Sequence, residues 1–390
     1  MSAPDRQAIA ADAVFDGATV RQDCAVVLAQ DRIAAVLPRR ELPGDLPLRR
    51  LPEGNWLAPG FLDVQVNGGG DVLFNDEPSP EGIAAIVEAH RRFGTTALLP
   101  TLITDTSEKM ERAVAAVQRL LGREPGVLGI HFEGPFLSPQ KPGVHDPSMI
   151  RVPRPGDAGS LTALRGGSTL VTLAPEIVPT GFVRALVAAG IRVSLGHSMA
   201  TYAQTRAALA EGLTGFTHLF NAMRPLGARE GGPIAAALES RSAYYGLIVD
   251  GVHVAPSVLG LALRGAGQPM LVTDAMPPVG GSRTNFKLDA QPIEVRNGRC
   301  TRADGTLAGS AIDMATAVRN CVRLLGLPLP EALRLATEAP ARFLGISERL
   351  GRIAPGYRAD MVALDPEEIR VLGTWVAGRE YALFDAPALL

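Results

Sequence analysis

The sequence predicts an α/β fold: a (β/α)8 barrel of the TIM type with a small β-sandwich domain formed by both ends of the chain. Three observations lead to this prediction. Apolar, strand-like runs alternate with helical patterns through the middle, both ends are rich in β-formers, and 390 residues suffice for a large barrel or for two domains. We expect the β-sandwich domain at 1–56 and 353–390 and the barrel at 57–352.

The two ends of the chain have similar β-rich patterns. The strand-like runs lie at 13–17, 25–29 and 32–37 near the N-terminus and at 360–364 and 369–378 near the C-terminus. Since chain ends often lie close together, we expect these runs to share one small domain. Two unrelated flanking hairpins are the alternative.

The middle of the chain contains eight buried strand patterns. They lie at 61–66, 97–102, 127–132, 169–173, 191–195, 215–219, 245–249 and 270–274. Parallel strands that are covered on both faces read as continuous apolar runs, as these do. About eight β/α units are the number expected of a TIM barrel. A doubly wound open sheet gives the same alternation, but no G-x-G-x-x-G follows the first run to favour it.

Helical patterns separate several of these runs, at 81–93, 107–121 and 201–211, and Ser79 and Ser107 are the predicted N-caps. Residues 283–309 break the alternation. Asn297-Gly298 in this segment is a strong hairpin signal, so we predict a β-hairpin excursion after the last barrel strand.

The composition excludes several classes of protein. Hydrophobic residues make up 46% and charged residues 20%, and the net charge is −2, so nothing favours nucleic acid or an anionic membrane as a partner. The three cysteines are widely spaced, which argues against a disulfide scaffold and a cysteine-based zinc site. We find no signal-peptide pattern and no run of about 18 to 20 apolar residues. The sequence therefore predicts a cytoplasmic protein.

Polar residues follow the predicted barrel strands. Five of the six histidines lie in a strand or in the loop after one, and carboxylate and amide side chains end three strands. These residues are His131, His145, His197, His218 and His253, with Glu133, Asp274, Gln65 and Asn67. Because the carboxyl ends of barrel strands converge on one mouth, we expect them to meet in one site.

Glu133, His197 and His218 form a candidate metal-ligand set. Two imidazoles and one carboxylate suit zinc or ferrous iron, and three protein ligands leave a position open. A single histidine at a strand end is more often a satisfied polar residue. Three such residues together with an aspartate favour the metal site.

Asp274 is a candidate for proton transfer, since a carboxylate beside metal-activated water can take its proton and later deliver it to a leaving group. A carboxylate that caps the next turn is the alternative. From the residues alone, Asp71, Asp76 and Asp250 remain acid/base candidates as well, because they also lie in loops after strands.

Eight motifs in this order resemble a known family over nearly the whole chain. They are PGFLDVQVNG at 59–68, HFEGPFL at 131–137, KPGVHDP at 141–147, GHSMATY at 196–202, THLFNAM at 217–223, DGVHV at 250–254, LVTDA at 271–275 and GRIAPGYRAD at 351–360. Together they resemble the N-acetylglucosamine-6-phosphate deacetylases of the amidohydrolase superfamily.

The resemblance implies a metal-dependent barrel that hydrolyses the N-acetyl amide of N-acetylglucosamine 6-phosphate to glucosamine 6-phosphate and acetate. It implies that Glu133, His197 and His218 bind the metal and that Asp274 is general base and then acid. His145 would polarise the acetyl carbonyl.

The resemblance also implies the substrate contacts. Asn221, Ala222, Arg229 and His253 would hold the sugar phosphate, Val144 would contact the substrate beside His145, and Leu307, Ala308 and Gly309 would line the sugar pocket. In the family the phosphate-binding arginine comes from the neighbouring subunit, so Arg229 implies a homodimer.

One divalent metal per subunit is expected, zinc first and ferrous iron or another divalent ion as alternatives. Many amidohydrolases carry H-x-H on the first strand and bind two metals, whereas this sequence has Gln65 and Asn67 there. Amide side chains are poor zinc ligands compared with imidazole, so we expect the second metal position to be lost. No strand-end lysine suggests a carbamylated bridge.

Three points stay open in the sequence. If the third strand continues to Glu133, His131 lies below it on the same face, where a hydrogen-bonded interior histidine is as good an interpretation as a functional one. The motifs do not distinguish the substrate from its galactosamine epimer. A catalytically dead scaffold that binds other proteins is the alternative of a different class, but all four metal and proton-transfer candidates are present.

Overall fold

The computed structural model describes residues 6–288 and 291–381, and in it the chain forms two compact units. The first unit contains described residues 6–63, 90–97 and 314–381, and the second contains 64–89, 98–288 and 291–313. The domain boundaries expected from the sequence, 56/57 and 352/353, stay a prediction. Among the described residues, no helix has the length and apolar character needed to cross a membrane.

Both units contain strands. In chain order over the described residues they are β1 (Arg6–Phe15), β2 (Val20–Ala29), β3 (Arg32–Pro38), β4 (Leu48–Arg50), β5 (Trp56–Pro59), β6 (Phe61–Val66), β7 (Gly68–Gly69), β8 (Val72–Leu73), β9 (Thr95–Ile103), β10 (Gly129–Glu133), β11 (Ser168–Leu173), β12 (Arg192–Leu195), β13 (Gly215–Phe216), β14 (Tyr244–Leu247), β15 (Gln268–Leu271), β16 (Asn285–Leu288), β17 (Gln291–Arg296), β18 (Arg299–Thr301), β19 (Leu307–Ser310), β20 (Met361–Asp365), β21 (Arg370–Val376) and β22 (Arg379–Tyr381).

The helices follow the barrel strands and then form a group before the C-terminal strands. Over the same residues they are α1 (Pro80–Arg91), α2 (Ser107–Leu120), α3 (Asp157–Leu161), α4 (Phe182–Ala188), α5 (Tyr202–Ala210), α6 (Gly232–Glu239), α7 (Pro256–Ala262), α8 (Met314–Leu325), α9 (Leu329–Ala336) and α10 (Glu338–Leu344), with a short 3₁₀ turn at Arg39–Glu41.

The first unit contains one eight-stranded sheet to which both terminal segments contribute. Its order is β22-β21-β20-β5-β1-β2-β3, and β4 pairs with β1. The C-terminal strand β20 pairs antiparallel with β5 from the N-terminal segment. Trp375, Leu57 and Met361 are fully buried in the apolar core of this unit. The prediction that both ends of the chain build one β domain is confirmed.

The barrel is an eight-stranded sheet in the order β6-β9-β10-β11-β12-β13-β14-β15. All six residues of β6 and all nine of β9 are buried, in agreement with their continuous apolar pattern. The sheet closes between its last and first strands, because Asp274 N–H donates to the Gln65 carbonyl at 3.0 Å and Asn67 N–H to the Ala275 carbonyl at 2.9 Å. The predicted (β/α)8 barrel is confirmed.

The segment after the last barrel strand forms a four-stranded antiparallel sheet, β16-β17-β18-β19, which we call the inserted sheet. Asn297 and Gly298 connect β17 to β18, both with positive φ (50° and 73°), as a tight hairpin turn requires. The sheet returns to the barrel at Ser310, whose N–H donates to the Asp274 carbonyl at 2.8 Å. The excursion predicted at 283–309 is thus larger than one hairpin.

The two predicted helix caps have different outcomes. Ser79 caps α1, since its Oγ accepts a hydrogen bond from Gly82 N–H at 3.0 Å. The prediction of Ser107 as a cap is wrong: Thr106 caps α2 by accepting from Lys109 N–H at 3.3 Å, and Ser107 is already the first residue of the helix. Thr106 and Ser107 are adjacent, and the hydroxyl of either can cap a helix. The sequence alone therefore does not fix which of the two precedes the first helical residue.

Gly196, at the end of β12, provides a test of the barrel packing. A Cβ at this position would lie 2.6 Å from Thr172 Cγ2 and 3.1 Å from Thr217 Cβ, both on buried residues. We expect Gly196→Ala to lower the free energy of unfolding by ~1–3 kcal/mol, because overpacking forces neighbouring backbone apart. Urea denaturation measures the change.

Gly159→Ala in α3 is the matched control, since no heavy atom lies within 4 Å of the added Cβ. It should leave the free energy of unfolding unchanged or raise it by less than ~1 kcal/mol. Equal urea midpoints for wild type and Gly196→Ala would contradict the packing argument.

Candidate active site and metal centre

Glu133, His197 and His218 follow three barrel strands. Glu133 is the last residue of β10, and the two histidines come two residues after the ends of β12 and β13. All three side chains are buried. The barrel thus brings together residues that lie 64 and 85 positions apart along the chain, as the sequence predicted.

The ligand atoms of this cluster converge on one point. Glu133 Oε1 lies 2.9 Å from His218 Nε2 and 3.1 Å from His197 Nε2, and the two imidazole nitrogens lie 3.2 Å apart. Among the described residues these three are the group of carboxylate, imidazole or thiol side chains that could hold a metal ion.

The donor set fits a divalent cation. His197 Nδ1 lies 2.9 Å from the Lys141 carbonyl, which can only accept, so Nδ1 carries a proton and Nε2 is the nitrogen whose lone pair can bind a cation. A lone pair aimed at a carboxylate oxygen and at a second imidazole nitrogen is favourable only when a positive charge lies between them. Two imidazoles and one carboxylate are ligands that zinc and ferrous iron accept.

The electrostatics of the cluster follow from the same contacts. Burial opposes the charge on Glu133, but the adjacent His197 and His218 imidazoles hold the pKa of this carboxyl well below its usual range. Burial likewise opposes the charge on His218, and the Glu133 carboxylate outweighs it and raises the pKa of the imidazole. The site therefore favours a carboxylate with positive charge beside it.

Asp274 lies beside this cluster and is held by amide groups. Its Oδ1 accepts from Asn67 Nδ2 at 2.6 Å and from Gln65 Nε2 at 3.1 Å. Gln65 Nε2 also lies 3.3 Å from Glu133 Oε2, so one amide group serves both carboxylates. Burial and the charge of Glu133 raise the pKa of Asp274 to about 6. A carboxyl with such a pKa can both accept and donate a proton near neutral pH.

The backbone of the site adopts a conformation that side chains rarely take. His197, His218 and Asp274 have φ values of 47°, 33° and 52°, in the left-handed region. Such residues cost on the order of 1–3 kcal/mol each and persist where the surrounding structure fixes them. The turn after each strand bends the side chain towards the barrel axis in this way.

His145 lies against the metal cluster in a fixed orientation. Its ring centroid is 4.4 Å from that of His197. Its Nδ1 accepts from Thr104 N–H at 3.3 Å and lies 2.8 Å from Thr104 Oγ1. Burial lowers the pKa of this imidazole to about 3, so the ring is neutral. Because Nδ1 accepts, the single ring proton lies on Nε2, where it can be donated.

A cavity of about 550 Å³ opens over these residues. From the set predicted for metal, catalysis and substrate, its walls contain Glu133, His197, His218, Asp274, His145, Asn67, Val144, Asn221, Ala222, His253, Leu307 and Gly309. Ala308 is fully buried in the core of the inserted sheet. Arg229 is exposed and lies outside the walls. One cavity thus collects nearly every predicted side chain.

His131 lies beneath the cluster in a chain of buried hydroxyls. Its Nε2 is 2.8 Å from Thr172 Oγ1, which is 2.6 Å from Thr217 Oγ1, which is 2.7 Å from Ser194 Oγ. Its Nδ1 is 3.2 Å from Thr101 Oγ1. Burial lowers the pKa of His131 to about 4, which keeps the ring neutral. Two of these hydroxyls belong to residues close to the metal-site histidines in sequence: Thr217 directly precedes His218, and Ser194 lies three residues before His197.

Comparison with known proteins assigns the chain to a family. The family model described as the amidohydrolase family matches residues 56–381. The chain belongs to the amidohydrolase family. It is 42% identical over 379 residues to the N-acetylgalactosamine-6-phosphate deacetylase of Shewanella sp. strain ANA-3, which covers 94% of this chain and 95% of the relative.

Solved structures resemble this amidohydrolase along its whole length. The N-acetylglucosamine-6-phosphate deacetylase of Pasteurella multocida has a TM-score of 0.93 and 37% identity, covering 97% of this chain and 100% of its own. A variant of the Mycobacterium smegmatis deacetylase in complex with N-acetyl-D-glucosamine 6-phosphate has a TM-score of 0.87 and 35% identity, covering 96% and 99%.

Amidohydrolases are metal-dependent hydrolytic enzymes, and this one has a Glu/His cluster that could bind a metal. The groups that orient the site could not be predicted from the sequence: Thr104 contacts His145, the Lys141 carbonyl contacts His197, and a chain of hydroxyls contacts His131. Threonines and carbonyls carry no signal of their own in a single sequence.

Proposed function

We propose that this amidohydrolase deacetylates N-acetyl-D-glucosamine 6-phosphate to D-glucosamine 6-phosphate and acetate. The observation that carries the proposal is the complete set of metal-ligating and proton-transfer groups in one cavity, in a chain similar over its whole length to enzymes with this name. The proposed metal is one divalent ion per subunit, zinc first, held by Glu133, His197 and His218. The proposed location is the cytoplasm.

Amide hydrolysis needs a nucleophile, stabilisation of the carbonyl oxygen, and a proton for the departing amine. A divalent cation at the cluster supplies Lewis-acid chemistry, since it acidifies water and polarises a carbonyl. The remaining groups come from the chain itself.

Asp274 is the proposed proton carrier. Its Oδ1 is occupied by the Asn67 and Gln65 amides, whereas Oδ2 accepts no hydrogen bond from the part of the chain that the structure describes. We assign to Oδ2 the acceptance of a proton from the attacking water and its later delivery to the amine nitrogen. The water oxygen bonds to the acetyl carbon, the C–N bond breaks, and acetate and the amine result. A pKa of about 6 suits both halves of this transfer.

His145 is the proposed hydrogen-bond donor to the acetyl carbonyl. Thr104 fixes its Nδ1 as an acceptor, so the Nε2 proton is available, and a neutral donor needs no reorganisation as negative charge develops on the oxygen. The low pKa of His145 makes it a hydrogen-bond donor rather than a source of protons.

The phosphate is the proposed second anchor of the substrate. Asn221, Ala222 and His253 line the cavity and are assigned to it. Arg229 is assigned to the phosphate bound in a neighbouring subunit, which is consistent with its exposed position and requires a homodimer. Leu307, Ala308, Gly309 and Val144 are assigned to the sugar.

The second candidate substrate is N-acetyl-D-galactosamine 6-phosphate. The observation that favours it is the 42% identity to a Shewanella enzyme of that name. The two sugars differ only at C4, and nothing in the catalytic chemistry above depends on that carbon.

Substrate choice is tested by acetate release from four sugars: both N-acetyl epimers, each with and without the 6-phosphate. We expect kcat/KM to be highest for the N-acetylglucosamine phosphate and at least ~10²-fold lower for its free sugar, because remote binding energy orients the amide. A preference for the galactosamine epimer would select the second candidate. Equal kcat/KM with and without phosphate would contradict both.

Asp274→Asn tests the proton carrier. Asparagine keeps the size but not the basicity, so kcat should fall by ~10² to 10⁴-fold, the usual range for loss of a general acid/base. Metal content, measured by plasma mass spectrometry, should equal that of wild type. KM should change little, since the lost interaction acts in the transition state.

His218→Ala is the matched control, because it removes a ligand from the same cavity. It should lose both the metal and the activity. If Asp274→Asn keeps more than a tenth of the wild-type kcat with its metal bound, another group carries the proton. Two tightly bound metal equivalents in active wild type would contradict the single-metal assignment.

Arg229→Ala tests the shared site by complementation. When inactive Arg229→Ala and Asp274→Asn subunits exchange, a mixed dimer contains one site with both wild-type residues. We therefore expect activity to return on mixing. For random exchange of equal amounts, half of the dimers are mixed and each mixed dimer has one competent site of two, so the activity should approach a quarter of the wild-type value. No recovery, with subunit exchange demonstrated by differently tagged chains, would place Arg229 in its own subunit's site.

A further inference from the structure

Asp250 and His253, in the loop after β14, form a buried pair at the cavity wall. Their side chains are 3% and 7% exposed. Asp250 Oδ1 accepts from Val252 N–H at 2.8 Å and from His253 N–H at 2.9 Å. Its Oδ2 lies 2.6 Å from His253 Nδ1. One carboxylate thus holds both the backbone and the ring of His253.

These contacts fix the orientation of the imidazole. An ionised carboxylate only accepts, so Nδ1 carries a proton that it donates to Asp250. Although burial opposes ionisation, hydrogen bonds from the His253 side chain and from the backbone lower the pKa of Asp250. Nε2 has no hydrogen bond from the residues that the structure describes, and His253 lines the cavity. The ring therefore presents Nε2 to a ligand.

The charged groups on the cavity wall indicate a function for this orientation of His253. Glu133 and Asp274 are carboxylates on the cavity wall. Among the described residues of the wall outside the metal cluster, Lys141 and His253 are the side chains whose positive charge can attract an anionic ligand. A neutral His253 protonated at Nδ1 would offer a lone pair at Nε2, which repels a phosphate oxygen. An imidazolium would offer an N–H and a charge.

We propose that Asp250 is a positioning residue that accepts the Nδ1 proton of His253 and so directs Nε2 at the substrate phosphate, to which an Nε2–H is donated in the complex. The proposal rests on the sugar-phosphate function given above. Asp250 touches neither the substrate nor the metal ligands in this assignment, and it acts through His253.

Asp16 provides a matched control in the other unit. Its Oδ1 also accepts backbone N–H groups two and three residues ahead, from Ala18 and Thr19, both at 2.9 Å. It is buried too, with 5% exposed, but the side chain three residues ahead is a threonine and not an imidazole. Asp16→Asn therefore reports the cost of altering such a turn without changing a histidine.

Asp250→Asn is the test variant, because it keeps an acceptor for the two backbone N–H groups and removes the charge. For the sugar phosphate, KM should rise at least ~tenfold, the scale of one charge-assisted hydrogen bond, while kcat stays within about threefold. For the unphosphorylated sugar, KM should stay within about threefold in the same comparison. Asp16→Asn should leave all these values at wild type. A fall in kcat without a rise in KM would overturn the proposal.

A double-mutant cycle separates action through His253 from a structural effect. In a His253→Gln background, Asp250→Asn should change KM by less than about twofold, since its target is already gone. Effects that multiply in the double variant would overturn the proposal.

The protonation state is measured on the wild-type protein without substrate. In a spectrum of ¹⁵N-histidine-labelled protein at neutral pH, the signals absent from His253→Gln identify His253 among the six histidines. With saturating inorganic phosphate, both of its nitrogens should carry protons in wild type and in Asp16→Asn, and one in Asp250→Asn. Inorganic phosphate should shift these signals in wild type.

A singly protonated His253 in wild type saturated with inorganic phosphate would overturn the proposal whatever the substrate is, even if Asp250→Asn fails to fold. A doubly protonated His253 that inorganic phosphate does not shift would overturn its phosphate-binding part. Wild type that deacetylates no sugar phosphate would instead overturn the proposed function, while the spectrum still decides the state of the pair.

Discussion

Two imidazole nitrogens and a carboxylate oxygen lie within about 3 Å of one another in a buried place, and this arrangement needs a positive charge at its centre. The rest of the site maintains that arrangement. The left-handed backbone at His197 and His218 turns both rings inward, and the Lys141 carbonyl sets the tautomer of one of them. In the barrel interior, His131 and the hydroxyls it contacts are hydrogen-bonded to one another, and this network supports the segments that contain His197 and His218.

Barrel closure and the proposed proton transfer involve the same residue, Asp274. The backbone N–H of Asp274 joins the last strand to the first, its carbonyl receives the inserted sheet, and its carboxylate is held by amides from the first strand. Two separate parts of the chain, the end of the first barrel strand and the end of the inserted sheet, therefore fix Asp274. Gln65 and Asn67 lie at the end of the first barrel strand, and their amides donate hydrogen bonds to the Asp274 carboxylate.

Most of the barrel strands could be predicted because they are buried on both faces and therefore appear in the sequence as continuous apolar runs. The site could be located because its polar residues lie at the ends of these runs. What could not be predicted depends on register between distant segments. Whether Thr106 or Ser107 caps α2 is a difference of one position. That Thr104 orients His145, or that Asp250 rather than Asp71 or Asp76 holds a histidine at the cavity, requires knowing which loops meet. Residues 283–309 carried one clear hairpin signal, and the other strands of the inserted sheet are short and exposed on one side.

The inserted sheet leaves and rejoins the barrel at nearly the same point, since Ala275 pairs with Ser310 and Ser310 Oγ donates to the Thr273 carbonyl at 2.6 Å. Its two ends are therefore as close as the ends of a surface loop, although about thirty residues lie between them. A segment attached in this manner can be lengthened, shortened or exchanged for that of a relative without moving the strand that carries Asp274. In evolutionary terms, the cavity wall formed by the inserted sheet can diversify independently of the residues proposed to cleave the amide.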